Sequence, residues 1–215
     1  MCYYYSQADE AVKIQQRFQA KLREGRTFKP TNKAAGFSFP EMPIIINENA
    51  LILDVFSWGL IPRWAKDIEF AYKIRKNTLN ARSESIFTKP SFKNAINQKR
   101  CLIPTNGFYE WKHEGKSKIP YFIALNDSSI FAFGGIYDEW LNKDTGEIIN
   151  TFSIITTPAN PLMEEIHNTK KRMPLILPKE SESIWLNQEL NNYEITDLLL
   201  PYDENNMKTK RIEQI

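Results

Sequence analysis

The chain has 215 residues, 42% of them hydrophobic and 13% aromatic, enough to bury a sizeable core in one unit. Two cysteines and two histidines are too few for a structural zinc site or a disulfide framework, so reduced thiols, no metal and no cofactor are expected. With a net charge of +2, no internal repeat, no apolar run of membrane-spanning length and no secretory leader pattern, the chain reads as a soluble, cytoplasmic protein without membrane contact.

In chain order, a short apolar start (residues 2–5) precedes Ser6 and Asp9. These offer caps for a helix carrying Ile14, Phe18 and Leu22 at four-residue spacing and stopping at Gly25. Pro40 and Pro43 bracket a loop before two β-rich runs, 44–46 and 51–58, and a short helix is predicted over 89–97. Strand-like runs follow at 101–103, 108–112, 121–125, 130–137 and 151–156, separated by Asn-Gly, Glu-Gly, Asn-Asp and Thr-Gly turn signals. Residues 175–177 read as a further strand, 181–190 and 193–200 as helices, and 208–215 as a last strand. Many short strands without interleaved long helices predict an α+β fold: a single domain over 1–215, with a curved, mainly antiparallel sheet or barrel flanked by short helices.

Charge is unevenly spread. Residues 63–100 carry ten Lys or Arg against three acids, whereas 138–206 carry thirteen acids against five bases. That asymmetry suggests one face meeting a polyanion and another kept soluble; a merely solvated basic face is the competing explanation.

Cys2 is chemically distinctive. If Met1 is removed, one residue carries both an α-amine and a thiol, which can condense with an aldehyde to an imine and close to a five-membered thiazolidine. An α-amine titrates at about 7.7–8.0 and a thiol at about 8.5, so usable fractions of both nucleophiles exist near neutrality. An incidental cysteine in a buried first strand would have the same position. Cys101, inside an apolar run, reads as an inert core thiol.

Four further segments place unusual polar and aromatic residues beside strand-like runs: Trp58-Gly-Leu-Ile-Pro-Arg-Trp64, Leu79-Asn-Ala-Arg-Ser-Glu84, the run from Arg100 to Trp111 containing Asn-Gly-Phe-Tyr-Glu-Trp, and Ile166-His-Asn-Thr-Lys-Lys-Arg-Met-Pro174. With Met1-Cys2, Phe133-Gly-Gly-Ile136 and the Ser153–Thr157 run, this ordered series resembles the SRAP family (SOS response-associated peptidase domain), proteins that shield abasic sites in DNA. The resemblance implies that Cys2 captures the ring-opened deoxyribose aldehyde as a thiazolidine crosslink. It implies that Glu110 is the catalytic carboxylate, His167 the acid–base histidine, and Asn80 the amide that orients cysteine and sugar. Lyase and peptidase-type chemistry come with it, the latter either general or confined to self-processing or crosslink reversal.

The residue types fit these roles. A partly buried Glu110 is protonatable, His167 suits proton transfer at neutral pH, and Asn80 supplies a donor and an acceptor without titrating. The bland readings are a Glu110 paired to an arginine and a satisfied core histidine. Arg82 suits a bidentate phosphate grip, and Arg172 is placed to reach phosphates. Trp58, Pro62 and Trp64 are expected in an exposed loop as a stacking platform or wedge against single-stranded or junction DNA containing abasic sites. A monomer is expected.

Two departures from the family pattern stand out. Tyr3-Tyr4-Tyr5 replaces the usual Gly-Arg-Phe, and the stretch between His167 and Met173 is about three residues longer than usual, so that 168–171 should loop outward. Two other functions share some of these features: an N-terminal-nucleophile cysteine amidohydrolase, and a non-covalent single-strand-binding module that would not depend on Cys2.

Overall fold

The computed structural model describes residues 2–213. Its strands are β1 (Tyr4–Gln7), β2 (Lys21–Leu22), β3 (Thr31–Ala35), β4 (Glu41–Ile46), β5 (Ile52–Trp58), β6 (Asn80–Arg82), β7 (Arg100–Thr105), β8 (Gly107–Glu114), β9 (Ser117–Leu125), β10 (Phe131–Leu141), β11 (Ile148–Pro158), β12 (Arg172–Pro174), β13 (Ile176–Leu177) and β14 (Met207–Arg211). The helices are α1 (Ala11–Phe18), α2 (Ile68–Arg75), α3 (Lys93–Gln98), α4 (Pro161–Ile166), α5 (Glu182–Trp185) and α6 (Asn192–Leu198). The α+β class with a curved, mainly antiparallel barrel and short flanking helices is what the sequence predicts. None of the helices among the described residues is long and apolar enough to cross a membrane.

Strands β11, β10, β7, β4 and β5 pair in that order, and β5 pairs back onto β11 through Thr151↔Ser57 and Phe152↔Trp58, closing a barrel. A separate antiparallel sheet runs β14-β9-β8-β1-β3. Barrel strands obey the period-2 rule. Ile44, Ile46, Cys101, Ile103, Phe133, Phe152 and Ile154 turn to a core shared with Tyr5 and Phe108 of the second sheet, where Tyr5 meets Trp58 at 5.2 Å and Phe108 meets Phe133 at 5.8 Å between ring centroids. Their alternates Ile45, Leu102, Ala132, Ile136 and Ile155 join a second cluster with Ile14, Trp185 and Ile195 from the helices.

Several expectations shift. The first helix ends at Phe18, since Gln19 turns left-handed (φ 54°), and Leu22 lies in β2, paired in parallel with β5, instead of extending the helical stripe. The helix expected over 181–190 is only Glu182–Trp185. Its free carbonyls are taken by a side chain instead of a further turn: the fully buried Arg100 donates to Trp185 O at 2.9 Å and also to Asn187 O. The same guanidinium caps α3 by donating to Ile96 O and Asn97 O at 2.9 and 3.0 Å. Pattern reading missed α2, capped by Asp67 accepting from Phe70 N at 2.7 Å, and α4, capped by Asn160 with Pro161 at its first position. The last strand begins one residue early and ends at Arg211; residues 214 and 215 of the expected strand lie outside the described residues.

Because Arg100 serves four backbone carbonyls from inside the core, Arg100→Met should lower unfolding stability by about 3 kcal/mol through unpaired buried acceptors. Urea denaturation of wild type and variant measures the loss.

Candidate active site

The second sheet delivers two of the site's residues. Strands β1 and β8 pair as Tyr5↔Phe108 and Ser6↔Gly107, a register that, continued outward, sets Tyr3 opposite Glu110. Glu110 lies two residues beyond the fully buried Phe108 and so points to the same interior face, leaving it 4% exposed. Cys2, just before β1, is fully buried, with its thiol donating to Tyr4 O at 3.6 Å.

The barrel delivers the other two. Asn80 opens β6, which is held in parallel to β11 through Ile154↔Asn80, and its Nδ2 donates to Cys2 O at 2.9 Å. Its Oδ1 is buried with no hydrogen-bonding partner among the described residues. His167 follows α4, and its Nδ1 sits 2.8 Å from Arg172 O. A carbonyl can only accept, so Nδ1 carries the proton and Nε2 presents its lone pair. Nε2 lies 3.7 Å from Glu110 Oε2. Residues 2, 80, 110 and 167, from four separate segments, therefore meet in one buried place.

Burial drives their titration apart. It raises the Glu110 carboxyl to about 7 and lowers the His167 imidazole to about 4. It also pushes the Cys2 thiol well up, reinforced by the nearby Glu110 charge. Near neutrality the pair is thus a partly protonated acid beside a neutral base, not an ion pair, the separation that assigns acid and base roles. The fully buried Cys101 thiol is likewise raised, so it stays protonated at neutral pH.

A family model described as SOS response associated peptidase (SRAP) matches residues 1–215. The chain belongs to the SRAP family. It is 44% identical over 160 residues to the abasic site processing protein YoqW of Bacillus subtilis (strain 168), covering 74% of this chain and 68% of that protein. It is 31% identical over 210 residues to the abasic site processing protein HMCES of Gallus gallus, covering 84% of this chain and 60% of that one. An X-ray structure of a protein from Bacteroides thetaiotaomicron matches with a TM-score of 0.94 at 45% identity, over 99% of this chain and 92% of that chain.

On this SRAP framework the expected DNA-contacting residues divide. Trp58 is not in an exposed loop: it is fully buried, stacked on Phe152 at 6.3 Å and 9°, with its indole donating to Leu79 O at 2.8 Å. Pro62 is buried as well. Strand β5 continues through Trp58 to close the barrel, which turns that ring inward; neither residue can stack on a base. Trp64 remains 44% exposed, tethered through its Nε1 to Pro90 O at 3.1 Å. Arg82 is exposed at the end of β6. Arg172 is not a free phosphate ligand, because it is 7% exposed and bound to Glu84 and to Thr156 O at 2.5 Å.

The basic block is also thinner than its sequence suggests. Arg75 and Arg100 are buried, Arg63 lies 3.3 Å from Asp138, and Lys99 lies 2.7 Å from Glu139. Lys66, beside Asp67, and Lys73, Lys76, Arg82, Lys89 and Lys93 are left on the exposed surface. Sequence reasoning passed over Phe37, 56% exposed and 4.9 Å from the Tyr3 ring, while Tyr3 O accepts from Gly36 N at 2.8 Å. Nothing local marks that ring pair; only the β1–β3 pairing brings it to the site.

The sign of the pH dependence is opposite for the two groups. The folded state holds the Glu110 proton up to about 7, above the ordinary 4.5, so this group's contribution to stability falls as pH rises from 4.5 through 7. His167 titrates near 4 instead of 6.5, so its contribution rises with pH from 4 through 6.5. Glu110→Gln should therefore gain on the wild type by about 3 kcal/mol between pH 5 and 8. Urea denaturation of both proteins across that range measures it; parallel curves would show that the carboxyl titrates normally.

Proposed function

We propose that this chain processes abasic sites in DNA, with Cys2, made N-terminal by removal of Met1, capturing the ring-opened sugar covalently. The observation that carries this reading is the buried meeting of Cys2, Asn80, Glu110 and His167, with a protonatable carboxyl 3.7 Å from an unprotonated imidazole nitrogen. The names of YoqW and HMCES point to the same lesion.

The chemistry follows from the groups. Glu110, half protonated near pH 7, gives a proton to the sugar ring oxygen as its bond to C1 breaks, and the C1 hydroxyl returns its proton to the site, leaving the open-chain aldehyde. The Cys2 amine adds to the aldehyde carbon; the reprotonated acid gives a proton to the carbinolamine oxygen, which leaves as water, and the nitrogen gives its proton back to the conjugate base, forming the imine. The thiol then adds to the imine carbon, and its proton passes to the ring nitrogen. Aldehyde plus aminothiol becomes thiazolidine plus one water. His167 Nε2 relays protons between Glu110 and the sugar oxygen, a task needed most when the crosslink reverses or a strand is cleaved. The unpartnered Oδ1 of Asn80 accepts from a sugar hydroxyl, while its Nδ2 holds the Cys2 carbonyl. Lyase and self-processing peptidase chemistry draw on the same four groups.

The strand is gripped outside this recess. Arg82 binds phosphate, and Trp64 together with the Tyr3–Phe37 pair offers exposed ring faces to neighbouring bases, a sequence-tolerant contact suited to single-stranded or junction DNA. The rings stand in for the buried Trp58.

A denaturing gel of protein with abasic and intact oligonucleotides tests the reading. Capture should require the abasic site and vanish in Cys2→Ala, with reversible binding retained; Glu110→Gln should slow it roughly a hundredfold, as for loss of one general acid–base group. Normal covalent yield from Cys2→Ala would remove Cys2 from the chemistry. No abasic-dependent capture from any form would favour an amidohydrolase or a binding module instead. In salt titrations, Arg82→Ala should reduce the slope of log affinity against log salt by about one unit; an unchanged slope would place phosphate contacts elsewhere.

A further inference from the structure

The stretch between His167 and Arg172 is expected from the sequence to loop outward, and its path is informative. Residues 168–171 turn out into solvent, yet the turn closes on the histidine itself: Lys170 N and Lys171 N donate to His167 O at 3.2 and 2.8 Å, with Lys171 left-handed at φ 48°. The ring then donates to Arg172 O at 2.8 Å. His167 is thereby fixed to its own loop and to β12. Those bonds do not fix it relative to Glu110, which belongs to β8 of the other sheet.

Asn168 spans that gap. Its Oδ1 accepts from His113 N at 3.1 Å and its Nδ2 donates to His113 O at 2.8 Å, so one side chain engages both backbone groups of one β8 residue. His113 lies three residues beyond Glu110 on the same strand, and Asn168 directly follows His167. A second tie runs beside it, from Lys112 Nζ to Glu165 Oε1 of α4 at 2.7 Å. Its Glu165 end is exposed and Lys112 is only partly covered, and an ammonium–carboxylate pair tolerates many angles, so it adds attraction with little geometric control. A two-point amide clamp is directional, because its donor and acceptor sit on separate atoms held in one plane and neither titrates.

We propose that Asn168 is a positioning residue that sets the separation and orientation of His167 relative to Glu110 by locking the loop after α4 onto β8. The proposal rests on the function assigned above to those two groups. Among the described residues, the titratable and charged groups facing the imidazole are Glu110 and His113 from β8 and Arg172 from β12, and the chain's α-amino group adds a positive charge that also lowers its titration.

Asn168→Ala and Asn168→Asp in the full chain test this by three readouts: time-resolved capture of an abasic oligonucleotide, its pH–rate profile, and NMR titration of the ring nitrogens of the chain's two histidines. Asn168→Ala should slow capture roughly tenfold, less than the hundredfold that a misplacement of about 1 Å can cost. It should also displace the pH–rate profile and move the His167 titration upward from about 4. Asn168→Asp, which keeps the acceptor and loses the donor, should fall between alanine and wild type. Wild-type rate and titration in Asn168→Ala would overturn the proposal. So would a slower rate with unshifted profile and titration, since that marks a merely stabilising contact. If the wild-type protein captured no abasic DNA, the functional reading would fall, and the histidine titration would still decide whether the clamp sets the ring.

Discussion

The structure depends most on the backbone pairing of β11. Its first half hydrogen-bonds to β10 on one side and to β5 on the other, which closes the barrel. Its second half carries β6 on one side, through Ile154↔Asn80 and Thr156↔Arg82, and β12 on the other, through Thr156↔Pro174 and Pro158↔Arg172. One eleven-residue strand thus builds the scaffold and hangs two site-bearing segments from it. A slip of one residue would turn every side chain of the strand to the opposite face and separate Asn80 from Cys2.

The second constraint is desolvation. The four central side chains lie where the barrel meets the five-stranded sheet, each with less than a tenth of its surface exposed. Low polarability there penalises charge, which keeps Glu110 protonatable near neutrality and His167 uncharged. The fixed tautomer adds direction to those states, since the bond from Nδ1 to Arg172 O aims the basic nitrogen at the carboxyl. Arg172 matters to this site through its backbone oxygen, while its guanidinium is spent on Glu84 and Thr156.

Charge outside the recess is allocated by the same accounting of partners. Arg75 and Arg100 serve backbone carbonyls, and Arg63 and Lys99 answer Asp138 and Glu139, so the dense basic block of the sequence becomes a modest exposed set around Arg82. The contrast between Arg82 and Arg172 shows why arginines in neighbouring motifs cannot be given roles by type alone: one ends a strand at the surface, the other is buried against Thr156 of β11 and Glu84.

The sequence by itself determined the fold class, the barrel strands and the residue types of the site. Period-2 alternation and turn dipeptides are local properties, and the ordered motifs carried the family. Cys2, Asn80, Glu110 and His167 could be named as candidates for that reason, as could the outward loop at 168–171, and the fold brings the four together. Tertiary structure decided the rest. It turned Trp58 inward because closing the barrel requires β5 to run through that position, it buried Pro62 in the turn beyond, and it cut short the helix after Ser181 where Arg100 takes the Trp185 carbonyl. It brought Phe37 to Tyr3 and Asn168 to His113 across long separations in the chain. These outcomes depend on which distant groups satisfy a buried polar atom or share a strand register, and no local pattern encodes that choice.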